Sequence, residues 1–178
     1  MDNLMEYQAL AMRTSPDGHD RMTNGIMGLI GESGEVVDAV KKWKFQSGDH
    51  AEIPKEKLID ELGDVLWYCA EISTHCKFNM MDAKRRLGFD GLKYQGILHL
   101  EAIFLSKLAN DMADRFLNPE DNFTNPQYIV CCVIDLVEYI LTHYCDSTLM
   151  DCMEHNIAKL MKRYPDGFDP ERSLHREE

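Results

Sequence analysis

Apolar residues recur along this chain in alternating steps of three and four, and few short runs alternate with a period of two. The clearest stretch begins at Glu56, where Leu58, Leu62, Val65, Cys69, Ile72 and Cys76 make one unbroken stripe. That is the pattern of a helix with one face on a core. Breaks rich in Gly, Pro and Asp fall at 15–18, 48–54, 88–91, 118–126 and 164–170. The pattern predicts helices near 2–13, 20–46, 55–78, 80–87, 95–117, 127–146 and 148–163. The fold class is therefore all-α, and the length suits a single domain over 1–178.

Beside the apolar stripe runs a second line, Glu61, Asp64, Tyr68, Glu71 and His75. Its first part, Glu61-Leu-Gly-Asp64, has a counterpart on the preceding helix, Glu32-Ser-Gly-Glu35. The i,i+3 spacing puts the two carboxylates of each pair side by side on one helical face. Apolar neighbours (Leu29, Ile30, Val36, Val37; Leu62, Val65, Leu66) turn these faces toward a cleft, and the nearest downstream cations on the first helix are Lys41 and Lys42. Four converging carboxylates repel unless a cation sits among them. Oxygen-only ligand sets suit hard divalent ions such as Mg²⁺, which bridge to substrate phosphates. Glu71 and His75, farther along, are expected to be an ordinary solvated face. Glycines at 25, 28, 31 and 34 each weaken a helix interior by about 1 kcal/mol. Something should approach that backbone closely, either a neighbouring helix or a ligand.

Other site chemistries lack their spacing. No His has a Glu three residues before it, as a ferritin-like di-iron site requires. H-E-x-x-H and G-x-x-x-x-G-K-[ST] are both missing, which removes zinc proteases and P-loop NTPases. The dipeptide His19-Asp20 falls in a predicted loop and reads as a solvent-facing His followed by a helix-starting Asp.

Composition narrows the partners. Of 178 residues 44% are hydrophobic and 28% charged, and the formal charge is −12. With no run of Lys/Arg able to track a phosphate backbone, nucleic-acid binding is disfavoured, whereas a small polyanion held through a metal is not. The longest apolar run, 128–134, is too short to cross a bilayer. The N-terminus has no basic-then-apolar order of a secretory signal. Six cysteines occur without a C-x-x-C, so reduced thiols in a cytoplasm are expected in place of disulfides or structural zinc.

Five segments together carry a family resemblance: Tyr7-Gln8, Ala11-Met12-Arg13-Thr14, GLIGESGEVVDAVKKW at 28–43, KLIDELGDVLWY at 57–68 and NIAKLMKRYPDGF at 156–168. They resemble MazG-type nucleotide pyrophosphohydrolases, within the all-α NTP pyrophosphatase superfamily. The resemblance implies a MazG-like helical bundle and Mg²⁺-dependent hydrolysis, with Mn²⁺ as an alternative ion. The substrate implied is a (deoxy)nucleoside triphosphate, split to the monophosphate and pyrophosphate. It implies Glu32, Glu35, Glu61 and Asp64 as metal ligands and catalytic carboxylates, with Tyr68 near the nucleotide. Asn156, Lys159, Arg163 and Tyr164 match the substrate-binding tail. A cytoplasmic homo-oligomer, dimer or tetramer, serving nucleotide-pool control is the expected setting.

The residues agree with that assignment. Asn156, Lys159 and Arg163 share one helical stripe and offer donors and cations to phosphate. Lys162 reads as a cation in the last turn before Pro165, and Trp43 as a core or interface residue in preference to a base-stacking one. A long insertion separates the second acidic pair from the tail. Sliding the chain by 71 residues lays Leu29 on Leu100, Phe45 on Phe116, Asp64 on Asp135 and Tyr68 on Tyr139. In the same register Glu32, Glu35 and Glu61 meet Ile103, Ser106 and Cys132. This suggests a degenerate duplication, with a catalytic half near 1–91 and a half near 92–178 that keeps the scaffold but not the metal site. Helices 95–117 and 127–146 should then pack on the catalytic pair in pseudo-twofold fashion. Two other functions stay open: a nucleotide-binding or regulatory protein without turnover, and a purely structural helical module.

Overall fold

The computed structural model describes residues 3–48, 51–87, 94–120 and 125–174. They form eight helices and no strand: α1 Leu4–Met12, α2 Arg21–Gln46, α3 Lys55–His75, α4 Met80–Leu87, α5 Leu98–Leu117, α6 Pro126–Tyr144, α7 Leu149–Arg163 and α8 Pro170–Leu174. The all-α expectation holds. The predicted break at 88–91 lies outside the described residues.

Side chains that accept the unpaired first N–H groups set most helix starts. Asn3 caps α1, Asp20 caps α2, Asn125 caps α6, and Thr148 forms a reciprocal capping box with Asp151 on α7. Asp20 is thus the helix-starting acid that its position suggested. Helix α3 ends short of the predicted 78, because Lys77 takes a left-handed φ of 59°. Helix α8, beyond the Pro165 stop, was not predicted.

Helices α2 and α3 form the principal pair; α5 packs on α2, and α6 packs on α5, α4 and α3. Helix α7 lies on α3, and α1 sits between α3, α4 and α7. The later helices therefore close onto the acidic pair and do not form a separate lobe. The expected equivalents touch, α2 with α5 and α3 with α6. The predicted stripe is core: Leu58, Leu62, Val65, Cys69 and Ile72 are wholly buried and meet Leu29 and Val36 of α2 in the same cluster. Each such aliphatic side chain contributes about 1.5–3 kcal/mol by leaving water. All six cysteines are free thiols, five of them buried. No single helix among the described residues is long and apolar enough to cross a membrane.

Half of the glycine series follows from packing. A Cβ on Gly28 would lie 2.0 Å from the Tyr68 ring, and one on Gly25 would lie 2.7 Å from Ile72. The bare backbone of α2 is what lets α3 sit so close. Gly31 and Gly34 face open space, so the neighbouring helix does not account for them.

Candidate functional site

The close seating of α2 on α3 brings their acidic faces together. Glu32, Glu61 and Asp64 each present an oxygen, and these lie within 4.8 Å of one another. Glu61 is 5% exposed, while Glu32 and Asp64 are partly buried. Burial first, then the charges of Asp64 and Glu61, push the Glu32 carboxyl up to about 7, with Lys159 pulling the other way. Burial also raises the Asp64 carboxyl against the pull of Lys159. Such shifts mark a carboxylate cluster short of positive charge. Its all-oxygen donor set fits Mg²⁺ or Mn²⁺.

Two lysines supply part of that charge. Lys159 reaches Asp60 and Asp64, each at 2.7 Å, and Lys57 pairs with Glu61 from one turn earlier on α3. The tail cation expected to face phosphate therefore rests on a carboxylate of the trio in this structure. Burial works to raise the Asp60 carboxyl, but the Lys159 ion pair holds it below its usual range. Lys57 was overlooked in the pattern, although its i,i+4 spacing to Glu61 was a usable signal.

Asn156 corrects the sequence reading. It is fully buried, so it does not face a substrate. Its Nδ2 donates to Asp64 Oδ1 at 2.8 Å, and its Oδ1 accepts from the Tyr7 hydroxyl at 2.9 Å. Asn156 thus orients the Asp64 carboxylate, and Tyr7 orients Asn156. The glycine of Glu61-Leu-Gly-Asp64 makes this approach feasible: a Cβ on Gly63 would lie 3.0 Å from Asn156 Cβ.

Glu35 does not join the trio. Its i,i+3 spacing from Glu32 equals that of Glu61 and Asp64, so the way α2 seats on α3, not the spacing, leaves it outside. It is exposed and lines a separate cavity of about 280 Å³ with Asp38, Lys42, Trp43 and Lys57. Lys41 and Lys42 pair with Asp38 and not with the acidic pair. Trp43 donates to Ala51 O at 2.9 Å in a half-buried setting, away from the trio's cavity. Asp135, the residue in register with Asp64, is half-buried and accepts a weak hydrogen bond from the Cys131 thiol at 3.7 Å. Among the described residues no group of metal-ligating side chains forms around it.

A cavity of about 310 Å³ opens beside the trio, bounded by Glu32, Asp64, Trp67, Tyr68, Leu160, Arg163, Tyr164 and Phe168, with Thr14, Pro16 and Asn24 also on its wall. Tyr68, Arg163 and Tyr164 line this cavity, whereas Lys162 is exposed. Trp67 was missed. Its N–H donates to Thr14 Oγ1 at 3.0 Å and Ala11 O at 3.2 Å, and its ring meets Tyr68 edge-on at 4.9 Å.

Glu71 and His19 overturn a second expectation. Glu71 has no exposure. Its Oε1 accepts from Ser15 Oγ at 2.9 Å and lies 2.7 Å from His19 Nε2, while Oε2 accepts from Asn24 Nδ2 at 2.6 Å. His19 does not point into solvent; its other nitrogen is 2.6 Å from Pro16 O. The partners of Glu71 come from the α1–α2 loop and the first turn of α2, which no spacing along α3 reveals. His75 does remain exposed.

Residues 21–87 match the MazG nucleotide pyrophosphohydrolase domain. The chain thus carries a MazG-type segment. The matched segment runs from the start of α2 to the end of α4 and holds all four predicted carboxylates; Tyr7, Asn156 and Lys159 lie outside it. The Gene 37 protein of Mycobacterium phage L5 is 42% identical over 58 residues, which are 32% of this chain and 51% of that protein. The chain thus spans about half the length of the relative it matches. No solved structure matches it significantly.

Proposed function

We propose that this MazG-type chain hydrolyses (deoxy)nucleoside triphosphates to the monophosphate and pyrophosphate with the help of Mg²⁺ or Mn²⁺. The supporting observation is the convergence of Glu32, Glu61 and Asp64 within 4.8 Å, beside a cavity and inside the segment that matches the pyrophosphohydrolase domain. Those three carboxylates would hold the ion, with Glu35 as an outer neighbour. A divalent ion there supplies charge neutralisation for phosphate oxygens and a more acidic water. Asn156 and Tyr7 keep Asp64 in its ligating orientation. Lys159 and Arg163 offer cations to the triphosphate, and Trp67 and Tyr68 wall the space left for the nucleoside. The biological reading is nucleotide-pool control by a cytoplasmic homo-oligomer, with α5 and α6 as a degenerate second copy that serves as scaffold.

Pyrophosphate release in Mg²⁺ over a panel of NTPs and dNTPs tests this. Equal yields of monophosphate and pyrophosphate, lost in Glu61→Gln, are the expected result. Silence across the panel, with nucleotides still raising the melting temperature, would mean a nucleotide-binding protein without turnover.

A further inference from the structure

The hydrolase reading leaves Glu71 without a task. A fully buried carboxylate destabilises a fold unless donors surround it. Glu71 lies seven residues beyond Asp64 on α3, about 10 Å along the helix axis, so it is no part of the metal set. Its three hydrogen-bond partners are Ser15, His19 and Asn24. They belong to the stretch of chain whose Thr14, Pro16 and Asn24 wall the cavity.

Asn24 is the informative partner. An ionised carboxylate only accepts hydrogen bonds, so an amide beside it must turn its NH₂ group inward. Asn24 Nδ2 sits 2.6 Å from Glu71 Oε2, which turns Oδ1 away from Glu71 as the acceptor that this cavity-wall side chain keeps for another partner. An unrestrained asparagine presents either a donor or an acceptor; this one is set to accept. Ser15 and His19 hold the other oxygen of Glu71 and stop the carboxylate from turning away.

We propose that Glu71 fixes Asn24 as a hydrogen-bond acceptor, so that the cavity selects a nucleoside presenting an N–H or O–H donor at that point. Asn24 contacts the substrate, and Glu71 is a positioning residue acting through it. The proposal rests on the nucleotide-hydrolase reading. The donor is either an N–H on the base edge or a sugar hydroxyl.

The test releases the restraint. In Glu71→Gln the new amide can turn either end to Asn24, because His19 Nδ1 donates to Pro16 O and leaves Nε2 able to accept, so Asn24 is no longer fixed with its oxygen outward. kcat and KM are measured for the best natural substrate and for analogues lacking one base-edge donor or the 3′-hydroxyl. The wild type should lose roughly 10- to 100-fold in kcat/KM on the analogue without the matching donor. Asn24→Ala should level that difference, and Glu71→Gln should reduce it, since Asn24 can then present either its oxygen or its NH₂. In the double variant Asn24→Asp/Glu71→Gln the new amide donates to the new carboxylate, which again accepts from the substrate, so the original preference returns. The changes should sit in KM, while Mn²⁺ affinity of the substrate-free protein, read by electron paramagnetic resonance, stays within about twofold, since the trio is untouched.

Sensitivity confined to base analogues, or to the sugar analogue, supports the proposal and says which group donates. A wild type indifferent to every donor deletion overturns it. So do Asn24→Ala and Glu71→Gln if they slow all substrates in the same proportion. Should Glu71→Gln fail to fold, Asn24→Ala alone decides through the same comparison. Absence of any turnover would sink the hydrolase reading instead, and the same discrimination is then read from nucleotide binding by calorimetry.

Discussion

Neutralising Glu32 should stabilise the metal-free protein and, at the same time, remove its response to metal. Its carboxyl is raised from 4.5 to about 7, chiefly by burial and then by Asp64 and Glu61. The folded chain therefore holds a proton on Glu32 more tightly than the unfolded chain does. Between pH 4.5 and 7 the native state carries the extra proton, so stability falls as pH rises through that window and stays reduced above it. A shift of this size corresponds to at most about 3 kcal/mol. Solvent screening around the partly exposed side chain reduces that to about 1–2 kcal/mol. In EDTA at pH about 8, Glu32→Gln should then melt roughly 2–8 °C above the wild type, and the gap should close near pH 4. Millimolar Mn²⁺ should reverse the order, because only the wild type gains binding free energy on folding. Calorimetry in two buffers of different ionisation enthalpy should count up to about one proton released as metal binds near pH 6. Parallel pH profiles for the two proteins in EDTA, or a variant less stable than wild type at pH 8, would refute this account of the trio.

The other predictions follow from single contacts. Glu61→Gln should reduce turnover by more than about 100-fold and Glu35→Gln by only about 10-fold, since Glu35 stands outside the trio; equal losses in a pyrophosphate-release assay would count against that geometry. Lys159→Met should tighten Mn²⁺ binding to the nucleotide-free protein a few-fold, because a competing cation leaves Asp64, while raising KM for the triphosphate. Weaker metal binding in that variant would show that Lys159 supports the ligand set. Gly28→Ala drives a Cβ into the Tyr68 ring and should destabilise by about 1–3 kcal/mol in urea titrations. Gly34→Ala meets open space and should stabilise by up to about 1 kcal/mol. Similar effects at the two glycines would undo the packing argument.

Much of the fold was legible because a helix carries its own period. Residues of the predicted stripe, Leu58 to Ile72, are core, and Asp20 caps α2 as its position implied. The i,i+3 pairing likewise pointed to α2 and α3 as the acidic helices, since that spacing is intrinsic to helix geometry. Glu71 shows the limit. It has the spacing of a surface acid on an amphipathic helix, yet a loop and the first turn of α2 fold over it and supply three hydrogen-bond partners. Asn156 shows the same limit from the other side. Its stripe with Lys159 and Arg163 reads as a phosphate-facing edge, but α7 seats it against Gly63, where it holds Asp64 and takes the hydroxyl of Tyr7 from 149 positions away.

The sequence by itself determined the helices, which of their faces are apolar, and that two neighbouring helices carry paired carboxylates, because each of these depends on residues within a turn or two. Only the tertiary structure decided which carboxylates converge, leaving Glu35 aside and drawing Lys57, Asp60 and Lys159 in. It also decided that Glu71 is buried and accepts a hydrogen bond from Asn24 on the cavity wall. These outcomes depend on the rotation and seating of one helix against another, set by contacts such as Gly28 on Tyr68 and Gly63 on Asn156, which no local spacing encodes.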